Sequence, residues 1–191
     1  MKNLSLIIAI AIFSLASMNA QTSQLASLDN TSSFLGGIGE KTNSGAFVVS
    51  TIQEGVAITK LNDKFGLVNA QGVEIIAPRF EAIHPFQNGY AAAKLHGKWS
   101  FINKQGKKIT NFQYDWVGNF NEGAAPVQIN GKWGFVNEQG AQISEIEYDM
   151  VRSFENGIAL VRKGGTWLQL TIQGTLLPWD AAATAVLKTQ I

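Results

Sequence analysis

The chain has 191 residues with 15 basic and 14 acidic side chains, and a net charge of +1 supplies no field for collecting polyanions, which argues against a nucleic-acid surface. It contains no cysteine, which removes disulfides, thiol catalysis, thiolate metal sites and the lipid-attachment cysteine of a lipoprotein. An apolar fraction of 46%, with 19 glycines and only 4 prolines, suits a turn-rich β protein with a packed core rather than a disordered chain or a coiled coil.

In chain order, residues 1–20 read as a signal peptide. Lys2 supplies the positive end, Leu4 to Leu15 form the apolar run, and Ser14, Ala16, Ser17 and Ala20 supply small residues before a cleavage point after Ala20. Met18 stands where a small residue is preferred, so the point is placed only to within a few residues. The run is shorter than the ~20 apolar residues of a membrane span, and no later stretch could form one. The expectation is an exported chain, periplasmic or secreted, with no membrane span after signal cleavage. Residues 21–45 are small and polar and read as a flexible N-terminal segment. Their "GGIG" lacks the Lys-Ser/Thr ending of a phosphate loop.

From there the chain repeats with a period of 34 residues and no gaps. "GKWSFINKQG" at Gly97 returns as "GKWGFVNEQG" at Gly131, and "DKFGLVNAQG" at Asp63 precedes both. Phe65, Trp99, Trp133 and Trp167 stand in line, as do Phe80, Tyr114 and Tyr148, then Phe86, Phe120 and Phe154. Whole repeats cover 63–96, 97–130 and 131–164, with a half repeat at 46–62 and another at 165–177. Each unit reads as short strands separated by glycine turns: Trp-Gly-Phe-Val places Trp and Phe on one face and Val on the other, Asn-x-x-Gly closes a hairpin, a Tyr-Asp step opens a further run, and Phe-x-x-Gly leads into a last strand. The two half repeats could cap an open stack, or could join into one unit that closes the array as four. Residues 178–191 read as a C-terminal cap, with Pro178 as a stop and Asp180 as the N-cap of a short helix covering the last strand. The predicted fold is all-β, an array of short antiparallel hairpins over 46–177 with that helix at its end.

The combination of Gly-Lys-Trp-Gly-Phe-(Ile/Val)-Asn, the Asn-x-x-Gly turn, the Tyr-Asp step and Phe-x-x-Gly-x-Ala-x-Val resembles the WG repeat, also called the KWG repeat, found in many bacterial proteins. It departs from the pattern at Phe65 for Trp and at Ser100 and Leu168 for Gly. The resemblance implies a β-rich repeat scaffold and carries over no catalytic residues.

Repeated positions are read as scaffold: the Trp line as core packing, and the acids Glu81, Asp115 and Asp149 as turn or cross-strand partners, since catalytic carboxylates need distinct environments. His84 and His96, twelve residues apart without a carboxylate cluster, do not make a metal site, and no nucleophile elbow or nucleotide loop is present. An acid pair such as Glu122 and Asp115 is the weakest of the functional readings. Function is sought where the copies differ. Trp116 replaces Ala82 and Met150, and Tyr90 replaces Ala124 and Ile158, so both are candidates for a ligand or partner surface. The expected function is an exported, non-enzymatic scaffold, without cofactor or metal, that binds a protein or a cell-envelope component. The alternative is a carbohydrate-binding module that uses exposed aromatics to hold a glycan.

Overall fold

The computed structural model describes residues 37–179, so the expected signal peptide and residues 180–191 of the expected cap lie outside the described residues. Among the described residues, fourteen strands form four antiparallel sheets in chain order. The first holds β1 (Phe47–Val48), β2 (Val56–Leu61), β3 (Lys64–Asn69) and β4 (Glu74–Phe80). The second holds β5 (Ala82–Ile83), β6 (Tyr90–Leu95) and β7 (Lys98–Asn103). The third holds β8 (Trp116–Val117), β9 (Ala124–Ile129) and β10 (Lys132–Asn137). The fourth holds β11 (Met150–Val151), β12 (Ile158–Lys163), β13 (Thr166–Thr171) and β14 (Leu176–Pro178). Upstream of β1, residues 37–46 are tied back onto it: Gly39 N donates to Val48 O and Val48 N to Glu40 O, each at 2.8 Å.

The sheets are out of phase with the sequence repeat. Each takes the second half of one copy and the first half of the next, because the two halves meet across a tight two-residue turn. Asn130 and Gly131, with φ of 50° and 77°, turn β9 into β10 so that Ile129 faces Lys132. His96 and Gly97 do the same between β6 and β7. This phase settles the role of the half repeats. Strand β2 pairs with β1 and β3, and β13 pairs with β12 and β14, so each half completes a sheet with its own chain neighbour. They do not join each other. Hydrophobic clusters bridge the first and second sheets, the second and third, and the third and fourth; none of these clusters contains residues of both end sheets. Among the described residues, each sheet thus packs against its chain neighbours.

The expected C-terminal helix is corrected. Among the described residues there is no helix, and Pro178, expected as the stop before one, closes strand β14 instead. A proline tolerates an edge strand because its missing N–H can face solvent. Leu168, Gln169 and Leu170 pair with Pro178, Leu177 and Leu176, so β14 itself covers one side of β13.

Close approach between segments explains the glycines beside the repeated Trp. A Cβ on Gly134 would lie 2.8 Å from the carbonyl oxygen of Glu145, and one on Gly66 only 2.4 Å from that of Ile76. The chain returning after the Asn-x-x-Gly turn crosses at that point: Trp133 N donates to Tyr148 O at 2.9 Å and Tyr148 N to Trp133 O at 3.0 Å. Ser100 is tolerated where the pattern has Gly because its buried hydroxyl donates to Thr110 O at 2.5 Å, turning the close approach into a bond. At the turn itself, Asn137 Oδ1 accepts from Gln139 N and Ala141 N, and Asn69 and Asn103 repeat the arrangement.

The fully buried aromatics are Phe80, Tyr114 and Tyr148 at the crossing, with Phe101, Phe135 and Phe154 between sheets. The repeated Trp residues are half-buried rather than core residues, since they lie at the outer rim of the cleft between sheets.

Candidate functional site

One row of side chains crosses each sheet at that rim. Register places Phe47, Lys60 and Phe65 across the first sheet and Ala82, Lys94 and Trp99 across the second. Trp116, Gln128 and Trp133 cross the third, and Met150, Arg162 and Trp167 the fourth. Directly opposed residues share a sheet face, so each row is one surface. In three sheets the central residue is a cation over the aromatic ring: Lys60 Nζ is 5.6 Å from the Phe65 centroid, Lys94 Nζ 5.7 Å from Trp99, and Arg162 Cζ 5.8 Å from Trp167. A second side chain covers the ring in two of them, the His84 imidazole 4.6 Å from Trp99 and the Arg152 guanidinium 5.8 Å from Trp167.

The third sheet departs at both positions that cover the ring. Gln128 replaces the cation, and Gly118 stands where His84 and Arg152 stand in their copies. Trp133 is met by Trp116 instead, edge to face with centroids 5.2 Å apart and planes at 68°. Gly118 makes room for this: a Cβ there would lie 2.6 Å from Pro126 Cγ and 3.2 Å from the Trp116 ring. Trp116 stays 44% exposed and Gln128 half-buried, and the Gln128 side-chain amide has no hydrogen bond among the described residues.

The other sequence candidate lies elsewhere. Tyr90 is half-buried in the cleft between the second and third sheets, its ring 4.7 Å from Phe120. Burial, and after it the Glu138 carboxylate, push its phenol above the ordinary value. Trp116 faces the following cleft, so the structure does not bring the two together. Gln128, Gly118 and Trp133 are the members that sequence reasoning missed. The signal was present: positions 118 and 128 also disagree between copies.

The acids have structural partners. Asp115 accepts from Lys98 Nζ and, at 2.7 Å, from Asn130 N, while Asp149 accepts from Lys132 Nζ at 2.5 Å and from Gly164 N at 3.0 Å. Glu81 accepts from Gly97 N at 3.0 Å. Each carboxylate therefore closes a hairpin turn of its sheet. Glu122 is no partner of Asp115: both its oxygens accept, at 2.7 Å, from Asn156 N and Gly157 N of the next repeat. Glu54 binds Gly89 N in the same way, tying successive units together. His84 lies on Trp99 and His96 in its turn, and no cluster of three metal-ligating side chains occurs among the described residues.

These bonds have a pH consequence. The Lys98 and Lys132 ammonium groups, with the backbone donors, hold Asp115 and Asp149 below the ordinary 3.8, and the Gly97 N–H lowers Glu81 from 4.5. A depressed folded pKa contributes stability that is present above the unfolded value and lost as pH falls through the folded one. The urea midpoint is expected to hold from pH 7 to about pH 5 and to fall below about pH 4, and a variant carrying Asp115→Asn and Asp149→Asn should fall less steeply. Equal slopes for the two proteins would remove these acids as the cause.

Turn-closing acids, inter-repeat ties and a graded aromatic rim define a class: an all-β repeat array built on a periodic scaffold. The chain belongs to the family described as WG containing repeat, which matches at residues 65–99, 99–133 and 133–167. Among solved structures, Kluyveromyces lactis Hsv2 is similar at 11% identity and a TM-score of 0.41, over 68% of this chain and 49% of that one. KlHsv2 with loop 6CD replaced by a Gly-Ser linker is similar at 14% identity and a TM-score of 0.40, over 64% and 47%. Kluyvelomyces marxianus Hsv2 gives 13% and 0.39, over 68% and 49%. The match thus spans about half the length of those chains. No curated protein matches. No helix among the described residues is long and apolar enough to cross a membrane.

Proposed function

We propose that the protein is an exported, non-enzymatic scaffold whose repeat array binds a protein or a cell-envelope component. The observation that carries this reading is the division of labour between repeated and unequal positions. Repeated polar side chains are engaged in turns and inter-repeat bonds, whereas the unequal first residues of the rim rows leave Phe47, Trp116 and Met150 between 44% and 49% exposed. Large exposed apolar side chains on one register are what a partner surface offers. The apolar segment at 4–15 supports export. Cosedimentation of the full chain with isolated cell envelopes is expected to be saturable and weakened by Trp116→Ala; absence of saturable retention would overturn the reading. Fractionation of the tagged chain that leaves it uncleaved in the cytosol would overturn export.

A second reading, carbohydrate binding, is favoured by one specific feature, the Trp116–Gln128–Trp133 row.

A further inference from the structure

We infer that the Trp116–Gln128–Trp133 row is a subsite for one uncharged pyranose ring of a neutral oligosaccharide, an inference that rests on the carbohydrate reading. The comparison between copies supplies the argument. In the second and fourth sheets the repeated Trp is covered by two side chains, His84 with Lys94 and Arg152 with Arg162. In the third sheet both covers are gone, replaced by Gly118 and Gln128, and a second indole has been added. The scaffold requires none of these changes, since the other units fold without them.

Together they convert a cationic rim into a neutral one. The charges next along these strands are already paired with one another, Asp115 with Lys98 and Lys132 with Asp149. An anionic or cationic ligand therefore meets no unpaired counter-charge in the row. What the row offers is one exposed indole, Trp116, packed against a second, half-buried one, and an amide without a hydrogen-bond partner among the described residues. Axial C–H groups of a pyranose carry a slight positive charge and match the negative face of an indole, as cations do more strongly. The Gln128 amide both donates and accepts, so it can pair with two adjacent sugar hydroxyls. The arrangement is a single shallow platform, which sets the affinity in the range of about 0.1 to 1 mM.

The test uses isothermal titration of the full chain with cellotetraose, maltotetraose and chitotetraose, and with a proline-rich decapeptide as the competing chemistry. Wild type should bind at least one of the sugars. Trp116→Ala should weaken it by about tenfold or more. Gln128→Lys, which restores the side chain that two other sheets carry and so preserves the fold, should do the same; unchanged circular dichroism and melting verify the folding of both variants. Wild-type failure with all three sugars up to about 10 mM overturns the site together with the carbohydrate reading, while the scaffold reading stands on envelope retention. Sugar binding undiminished in both variants keeps the carbohydrate reading and overturns this site. Binding of the decapeptide alone, lost in Trp116→Ala, assigns the row to peptide and overturns the proposal.

Discussion

Gly140→Ala is expected to lower the unfolding free energy by about 3 kcal/mol or more, against about 1–2 kcal/mol for Gly131→Ala. The two glycines share a left-handed backbone, φ 82° and 77°, so a side chain strains both turns alike. They differ in what surrounds them. A Cβ on Gly131 meets nothing within 4 Å, whereas one on Gly140 would lie 2.2 Å from the carbonyl oxygen of Ile109, one repeat earlier. Gly174 repeats the contact, 2.5 Å from the Ile143 carbonyl oxygen. The glycine of the Asn-x-x-Gly turn thus serves both the turn and the stacking of one unit on the previous one. Urea denaturation of the two variants measures the difference, and equal midpoints would show that turn strain alone decides the position.

Phe135→Ala should cost about 3–5 kcal/mol, a large share of the 5–15 kcal/mol that holds a typical domain. Phe135 is fully buried, and its ring meets Phe154 edge to face at 4.9 Å, joining the third sheet to the fourth. The hydrophobic clusters that hold the sheets join chain neighbours, so the loss should be local. Hydrogen exchange is expected to accelerate in β11–β14 far more than in β1–β4. Uniform acceleration across all four sheets would mean that the array unfolds as a single cooperative body.

Much of this was legible in the sequence. The all-β class, the Asn-x-x-Gly turns and the turn-bonding role of Asp115 and Asp149 all follow from side-chain chemistry within about twenty residues of the atoms concerned. Pro178, read as the stop before a helix, instead closes strand β14 on a solvent-facing edge, where a proline is tolerated. The Trp line read as core because a large repeated ring suggests burial; only the cross-strand cations show that it lies at a rim. Of the candidate site, Trp116 was visible as an odd residue among copies, but its partnership with Trp133 and Gln128 was not.

The reason is the symmetry of a repeat. Periodicity determines the unit, its length and which residues are equivalent, since all of that is invariant when the chain is shifted by 34 residues. It does not determine where a unit begins, because any cut through a periodic sequence gives the same period. That choice belongs to the hydrogen bonds: the two-residue turn at Asn130-Gly131 commits β9 to β10 and so places each sheet across the boundary between two copies. Once that phase is set, Trp116, Gln128 and Trp133, on three successive strands, become one row on one face. Side-chain identity was given by sequence; which identities meet was decided by strand pairing.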